Sequence, residues 1–206
     1  VRGETIEDLF ARYGPSYRLF VTVGAMLASF IMVLSGTIVN VAVPEVMGAF
    51  GIGQDKAQLM ATGFIATMTA SQLVNAWLVT AFGPRITFIF VLLVFVAGSL
   101  LGGLSSNLDL IIVGRILQGF SAGVIQPLAM VTVVQVFPAN RRGVAVGIFG
   151  MGLMLAVGAG PLIGGIAIDA LSWRAIFWVP LPLVVLALVL GAIFMPSARA
   201  VDADRS

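Results

Sequence analysis

Of the 206 residues, 60% are hydrophobic and only 10% charged, with a formal net charge of +2; a soluble surface is not built this way, so a polytopic membrane protein in contact with membrane lipid is expected. Cys and His are both absent, which excludes disulfides, zinc sites, thiol nucleophiles and imidazole chemistry, so neither an enzyme nor a metal or other cofactor is expected. The basic residues are scattered along the chain, and nucleic acid is not an expected partner.

Residues 1–17 read as a cytoplasmic N-terminal segment carrying an interfacial amphipathic helix. Ile6, Leu9, Phe10 and Tyr13 follow the i, i+3, i+4, i+7 spacing of one helical face, Glu4, Glu7 and Asp8 stand near its start, and Gly14-Pro15 ends it. The first apolar run is too long for a signal-peptide core, so it is expected to remain as a span. Charged residues then divide the chain into uncharged runs, predicting six spans at about 19–44, 57–83, 86–104, 108–136, 143–168 and 175–196. Ser106-Asn107 has the character of a helix cap, which would start the fourth helix before Asp109 and place Arg115 about two turns inside it.

The connections at 48–54 and 104–107 are short and turn-rich, so residues 18–196 form one six-helix bundle, followed by a charged tail at 197–206 that is cytoplasmic or opens a linker. Counting Lys and Arg on alternate sides gives eight on the side of the termini and two, Lys56 and Arg174, on the other. Both termini are therefore expected in the cytoplasm, with the bundle in the cell (inner) membrane.

Polar and small residues inside the spans are the candidate working parts. Thr37 and Asn40 lie three apart in the first span and are expected to look into the bundle. Gln72 and Asn75 in the second span and Gln126 in the fourth, with Met26, Met32, Met68 and Met154, would suit a pliable pocket for a lipophilic ligand. An Arg at mid-membrane costs ~2.5–3.5 kcal/mol even on the lenient insertion scale, so Arg115 is a functional candidate, with Gln72 and Asn40 as the expected acceptors for its donors. The run from Gly119 to Gly123 has the letters of a nucleophile elbow, but a chain without His cannot use one, and helix packing is the reading. In the fifth span Gly152, Ala156, Gly160 and Gly164 fall four apart, a smooth stripe on which another helix can lie, and Pro161 predicts a bend beside it.

Several of these positions resemble one family. Leu34 to Pro44 matches the first-helix signature Leu-Asp-x-Thr-Ile-Val-Asn-Val-Ala-x-Pro of the EmrB/QacA-type drug:proton antiporters of the major facilitator superfamily, with Ser35 in place of the acidic residue. Arg115 followed by Gln118-Gly119 resembles the fourth-helix motif of that superfamily. Gly147, Ala156, Gly160-Pro161 and Gly164-Gly165 resemble its antiporter motif, Ala156 replacing a glycine. The connection 76–85 resembles its cytoplasmic gating loop, keeping Gly83 and Arg85 while Thr80 and Ala81 replace the acidic and basic pair. Trp173-Arg174 and Pro182 resemble the opening of the sixth helix, with Pro180 replacing an Asn.

The resemblance implies an all-α membrane protein, the N-terminal six-helix half of a fourteen-span transporter that exports lipophilic or amphiphilic compounds by alternating access. Its partner would be the missing C-terminal half. A homodimer partner for a self-contained six-span protein, or a non-transporting membrane role, are the alternatives. In the family the first-helix carboxylate is associated with proton coupling, and the Ser35 hydroxyl cannot titrate near neutral pH.

Overall fold

The computed structural model describes residues 4–197, and among them the secondary structure is entirely helical. Helix α1 (Ile6–Tyr13) starts at Thr5, whose hydroxyl accepts from the Asp8 amide while the Asp8 carboxylate accepts from the Thr5 amide. This reciprocal capping satisfies two amides that a helix start otherwise leaves open. Gly14, at φ 63°, turns the chain out of α1 and into α2 (Ser16–Phe50). The apolar face of α1 is covered by the bundle: Leu9 is buried and Phe10 packs edge-on against Tyr17. The expected interfacial helix is thus clamped to protein along one side.

Helix α2 runs 35 residues, past Pro44, where the sequence placed its end. Proline at this position leaves the Asn40 carbonyl without its helical donor but holds a helical φ, so the helix continues until Gly51 adopts the left-handed conformation and donates to the Met47 carbonyl. A short α3 (Gln54–Ala57) precedes α4 (Leu59–Phe82), which ends at Gly83, φ 85°. Pro84 then opens α5 (Pro84–Leu104), a position where its missing N–H costs nothing. Asn107 caps α6 (Leu108–Val136) through the Asp109 amide at 2.8 Å, the start that places Arg115 inside the helix.

After a 3-10 turn at Ala139–Arg141, α7 (Arg142–Ala170) passes uninterrupted through Pro161. The sixth apolar stretch is not one helix. It divides into α8 (Ala175–Trp178) and α9 (Leu181–Phe194), because Pro180 and Pro182 have no N–H to give to the carbonyls of Ile176 and Trp178 four residues before them. The six stretches long and apolar enough to cross a membrane are Ser16–Phe50, Gln54–Phe82, Pro84–Leu104, Leu108–Val136, Ala139–Ala170 and Ala175–Phe194.

Helix α6 is the hub, packed against α2, α4 and α5, while α2 also carries α7 and α9. Glycines set these approaches. A methyl on Gly98 would lie 2.6 Å from the Gly114 carbonyl oxygen, and one on Gly114 would lie 2.6 Å from that of Gly98, so α5 and α6 touch backbone to backbone. Gly119 and Gly123 meet the Phe64 and Met68 carbonyls of α4, so the run with elbow letters is indeed helix packing. In α4 and α7 only 17% of the most apolar window is buried, against 56% in α6, which leaves these two helices as the uncovered faces of the bundle.

Both ends of the described chain meet at one end of the bundle. The Glu4 amide donates to Ser197 Oγ at 2.8 Å, and the Ser197 amide donates to the Glu4 carbonyl at 3.0 Å.

Candidate functional site

Arg115 is completely enclosed. The Asn107 cap fixes the start of α6, so Arg115 falls two turns in, on the side that faces α2. Its Nη1 donates to Gln118 Oε1 at 2.7 Å and to Ser35 Oγ at 3.1 Å, and Nη2 donates to the Ser35 carbonyl at 2.9 Å. The guanidinium carbon stands 4.4 Å from the centroid of the Phe64 ring of α4. Gln118 in turn donates to Ser99 Oγ of α5 at 2.8 Å. One cation therefore ties four helices together, and Nε alone has no acceptor among the described residues.

Gln72 and Asn40, the acceptors expected from sequence, do not reach Arg115, since both are exposed. Gln118 lies three residues along the same helix, where side chains are neighbours, and Ser35 sits on the α2 surface pressed against α6. Asn40 is displaced from that surface, and Thr37 turns toward α7. The Thr37 hydroxyl donates to the Leu34 carbonyl at 3.1 Å, and its side chain fills the space over Gly160.

The pliable pocket does not assemble as expected. Met32 is buried in the core while Met154 is 72% exposed on α7, so the two cannot line one cavity. Met26, Met68, Gln126 and Asn75 are half-buried. Gln126 donates to the Ser29 carbonyl at 3.4 Å, and Asn75 Oδ1 is enclosed without a partner among the described residues.

The stripe on α7 is split in use. Ala156, Gly160 and Gly164 are buried, with Gly164 against Ile38 and Gly152 against Met26 of α2, so the helix expected to lie on the stripe is α2. Gly147 and Gly165 have no neighbour within 4 Å, and Pro161 is exposed.

In the connection from α4 to α5, Gly83 is buried and Arg85 turns back on its own bundle. Arg85 Nε donates to the Met195 carbonyl at 2.7 Å, its amide donates to the Pro196 carbonyl at 3.2 Å, and Nη2 pairs with Glu4 at 2.9 Å. Glu4 also pairs with Arg12 at 2.7 Å, bridging two arginines. The sequence reading missed Glu4 and Ser99. Glu4 showed only as an acid before a helix, and a lone serine in an apolar span carries no signal of its partner.

Residues 25–205 match the family model of the Major Facilitator Superfamily. The multidrug transporter protein MdtP of Bacillus subtilis (strain 168) is 33% identical over 84% of this chain and 32% of its own length. The lincomycin resistance protein LmrB of Listeria monocytogenes (serovar 1/2a, strain ATCC BAA-679 / EGD-e) is 31% identical over 85% of this chain and 37% of its own length. The chain thus spans about a third of the length of these relatives. Among solved structures, that of a peptide transporter POT in complex with sulfate superposes with a TM-score of 0.74 at 19% identity, covering 91% of this chain and 40% of that one.

Proposed function

Because the chain belongs to the Major Facilitator Superfamily, we propose that it is the N-terminal six-span half of an efflux transporter for lipophilic or amphiphilic compounds. The half works by alternating access in the cell membrane, with both termini cytoplasmic. The uncovered faces of α4 and α7 carry this reading. They are the least buried of the six apolar stretches, and relatives such as MdtP and LmrB are about three times the length that the chain spans. A second bundle made by that further length would cover these faces and leave the compound's path between the two. No chemical step on the compound is involved, and the work lies in exposing one site to each side in turn.

Arg115 and its neutral acceptors give the half a fixed charged core that joins α2, α4, α5 and α6. The complete transporter, reconstituted in liposomes loaded with an uncharged fluorescent lipophilic dye, is expected to move the dye faster than protein-free liposomes, and Arg115→Ala is expected to abolish the difference. Dye movement no faster than in protein-free liposomes would refute the reading.

A further inference from the structure

Arg115 is the one fully buried charged side chain among the described residues, and everything that touches it is neutral. Ser35 Oγ, the Ser35 carbonyl, Gln118 Oε1 and the face of Phe64 turn partial negative charge toward the guanidinium. They solvate it but do not cancel its unit charge. Glu45, Asp55, Asp109 and Asp169 are all exposed toward helix ends, where water and salt screen them. Gly36, beside Ser35, is half-buried and packs on Phe64, so the uncancelled charge lies only a side chain behind the surface that α2 and α4 present.

We propose that this half admits neutral and anionic amphiphiles and rejects lipophilic cations, with Arg115 setting the sign of charge accepted and Ser35 leaving that charge uncancelled. The proposal rests on the transport reading above and names the substrate class. Direct contact with the ligand is not needed, because a charge held in a low-dielectric wall acts through space. At an effective dielectric of about 20 and a separation of about 10 Å, Arg115 alters the binding constant of a unit charge by roughly ten-fold, in opposite senses for cation and anion. Two probes of the same shape and opposite charge should then differ by roughly a hundred-fold.

Tetraphenylborate and tetraphenylphosphonium are such a pair, and triphenylphosphine oxide is a neutral third probe. Equilibrium binding of each to the full-length transporter in nanodiscs, corrected against empty nanodiscs, is expected to show the borate and the neutral probe bound and the phosphonium at least roughly ten-fold weaker. Ser35→Asp sets a carboxylate beside the guanidinium, and the gap should shrink to roughly three-fold or less. Arg115→Gln removes the charge without adding one and should do the same, which keeps the test open if Ser35→Asp does not fold. Phosphonium bound as tightly as borate, or a gap that survives both substitutions, overturns the inference and leaves the transport reading standing. Failure of all three probes to bind above empty nanodiscs overturns both.

Discussion

Ser35 and Gln118 meet the same guanidinium, yet removing one side chain should cost less than removing the other. Ser35→Ala deletes an acceptor at 3.1 Å while the Ser35 carbonyl goes on accepting at 2.9 Å, so a loss below ~1 kcal/mol is expected. Gln118→Leu deletes the 2.7 Å acceptor and strips Ser99 of its donor, and hydrogen bonds to a charged group contribute ~1.5–3 kcal/mol. Thermal unfolding in detergent should rank the two in that order, and equal midpoints would refute the ranking. Ser35→Asp has a different readout. A carboxylate can titrate where a hydroxyl cannot, so in the complete transporter it is expected to introduce or strengthen proton dependence, read as efflux rate across a pH series. A pH profile identical to the parent's would show that the position is not where protons couple. The Asn107 cap made it legible in the sequence that Arg115 stands about two turns inside its helix, and polar groups in lipid need partners. The sequence did not show which partners, because that depends on the rotation of α2 and α5 about their axes, and helices this uniformly apolar carry no periodicity that reveals it.

Along α7 the glycines divide by what faces them, and substitutions should divide the same way. Gly160 lies under Thr37 and Gly164 under Ile38, whereas Gly147 has open space around it. Gly160→Leu would drive a side chain into α2 and is expected to abolish folded protein, judged by a monodisperse peak on size exclusion. Gly147→Ala is expected to fold as the parent does, and slightly more stably, since Ala gains up to ~1 kcal/mol over Gly in a helix. Normal folding of Gly160→Leu would mean that α2 and α7 do not pack as described. The four-residue spacing made this contact legible in advance, because small residues on one face have a plain use in lipid. Helix ends were less legible. Pro44 reads as a stop, but its fixed φ suits the helix that passes through it, and only Gly51 ends α2. Pro180 and Pro182, two residues apart, do interrupt the sixth span because they remove two donors within one turn.

For the whole molecule, the reciprocal hydrogen bonds between Glu4 and Ser197 put both ends of the described chain at the same end of the bundle, as an even number of spans requires. Arg85, between the second and third spans, joins them there through Glu4 and the Met195 carbonyl. The connection at Ala139–Arg141 belongs to that end too, while Gln54 and Ser106 belong to the other. Among the described residues Arg12, Arg18, Arg85, Arg141 and Arg142 fall at that end and only Lys56 and Arg174 at the other, and cytoplasmic loops collect basic residues, so that end is expected to face the cytoplasm. Because the chain contains no Cys, single cysteines can report on it without background. Ala57 would be an obvious site from sequence, but it is fully buried and would stay unlabelled whichever way the bundle faced. Gln54, Ser106 and Ala139 are exposed. Gln54→Cys and Ser106→Cys are therefore expected to react with a membrane-impermeant maleimide added to intact cells, and Ala139→Cys to react only after the membrane is opened. The reverse pattern would turn the bundle over, and labelling of all three from outside would break the six-span arrangement itself.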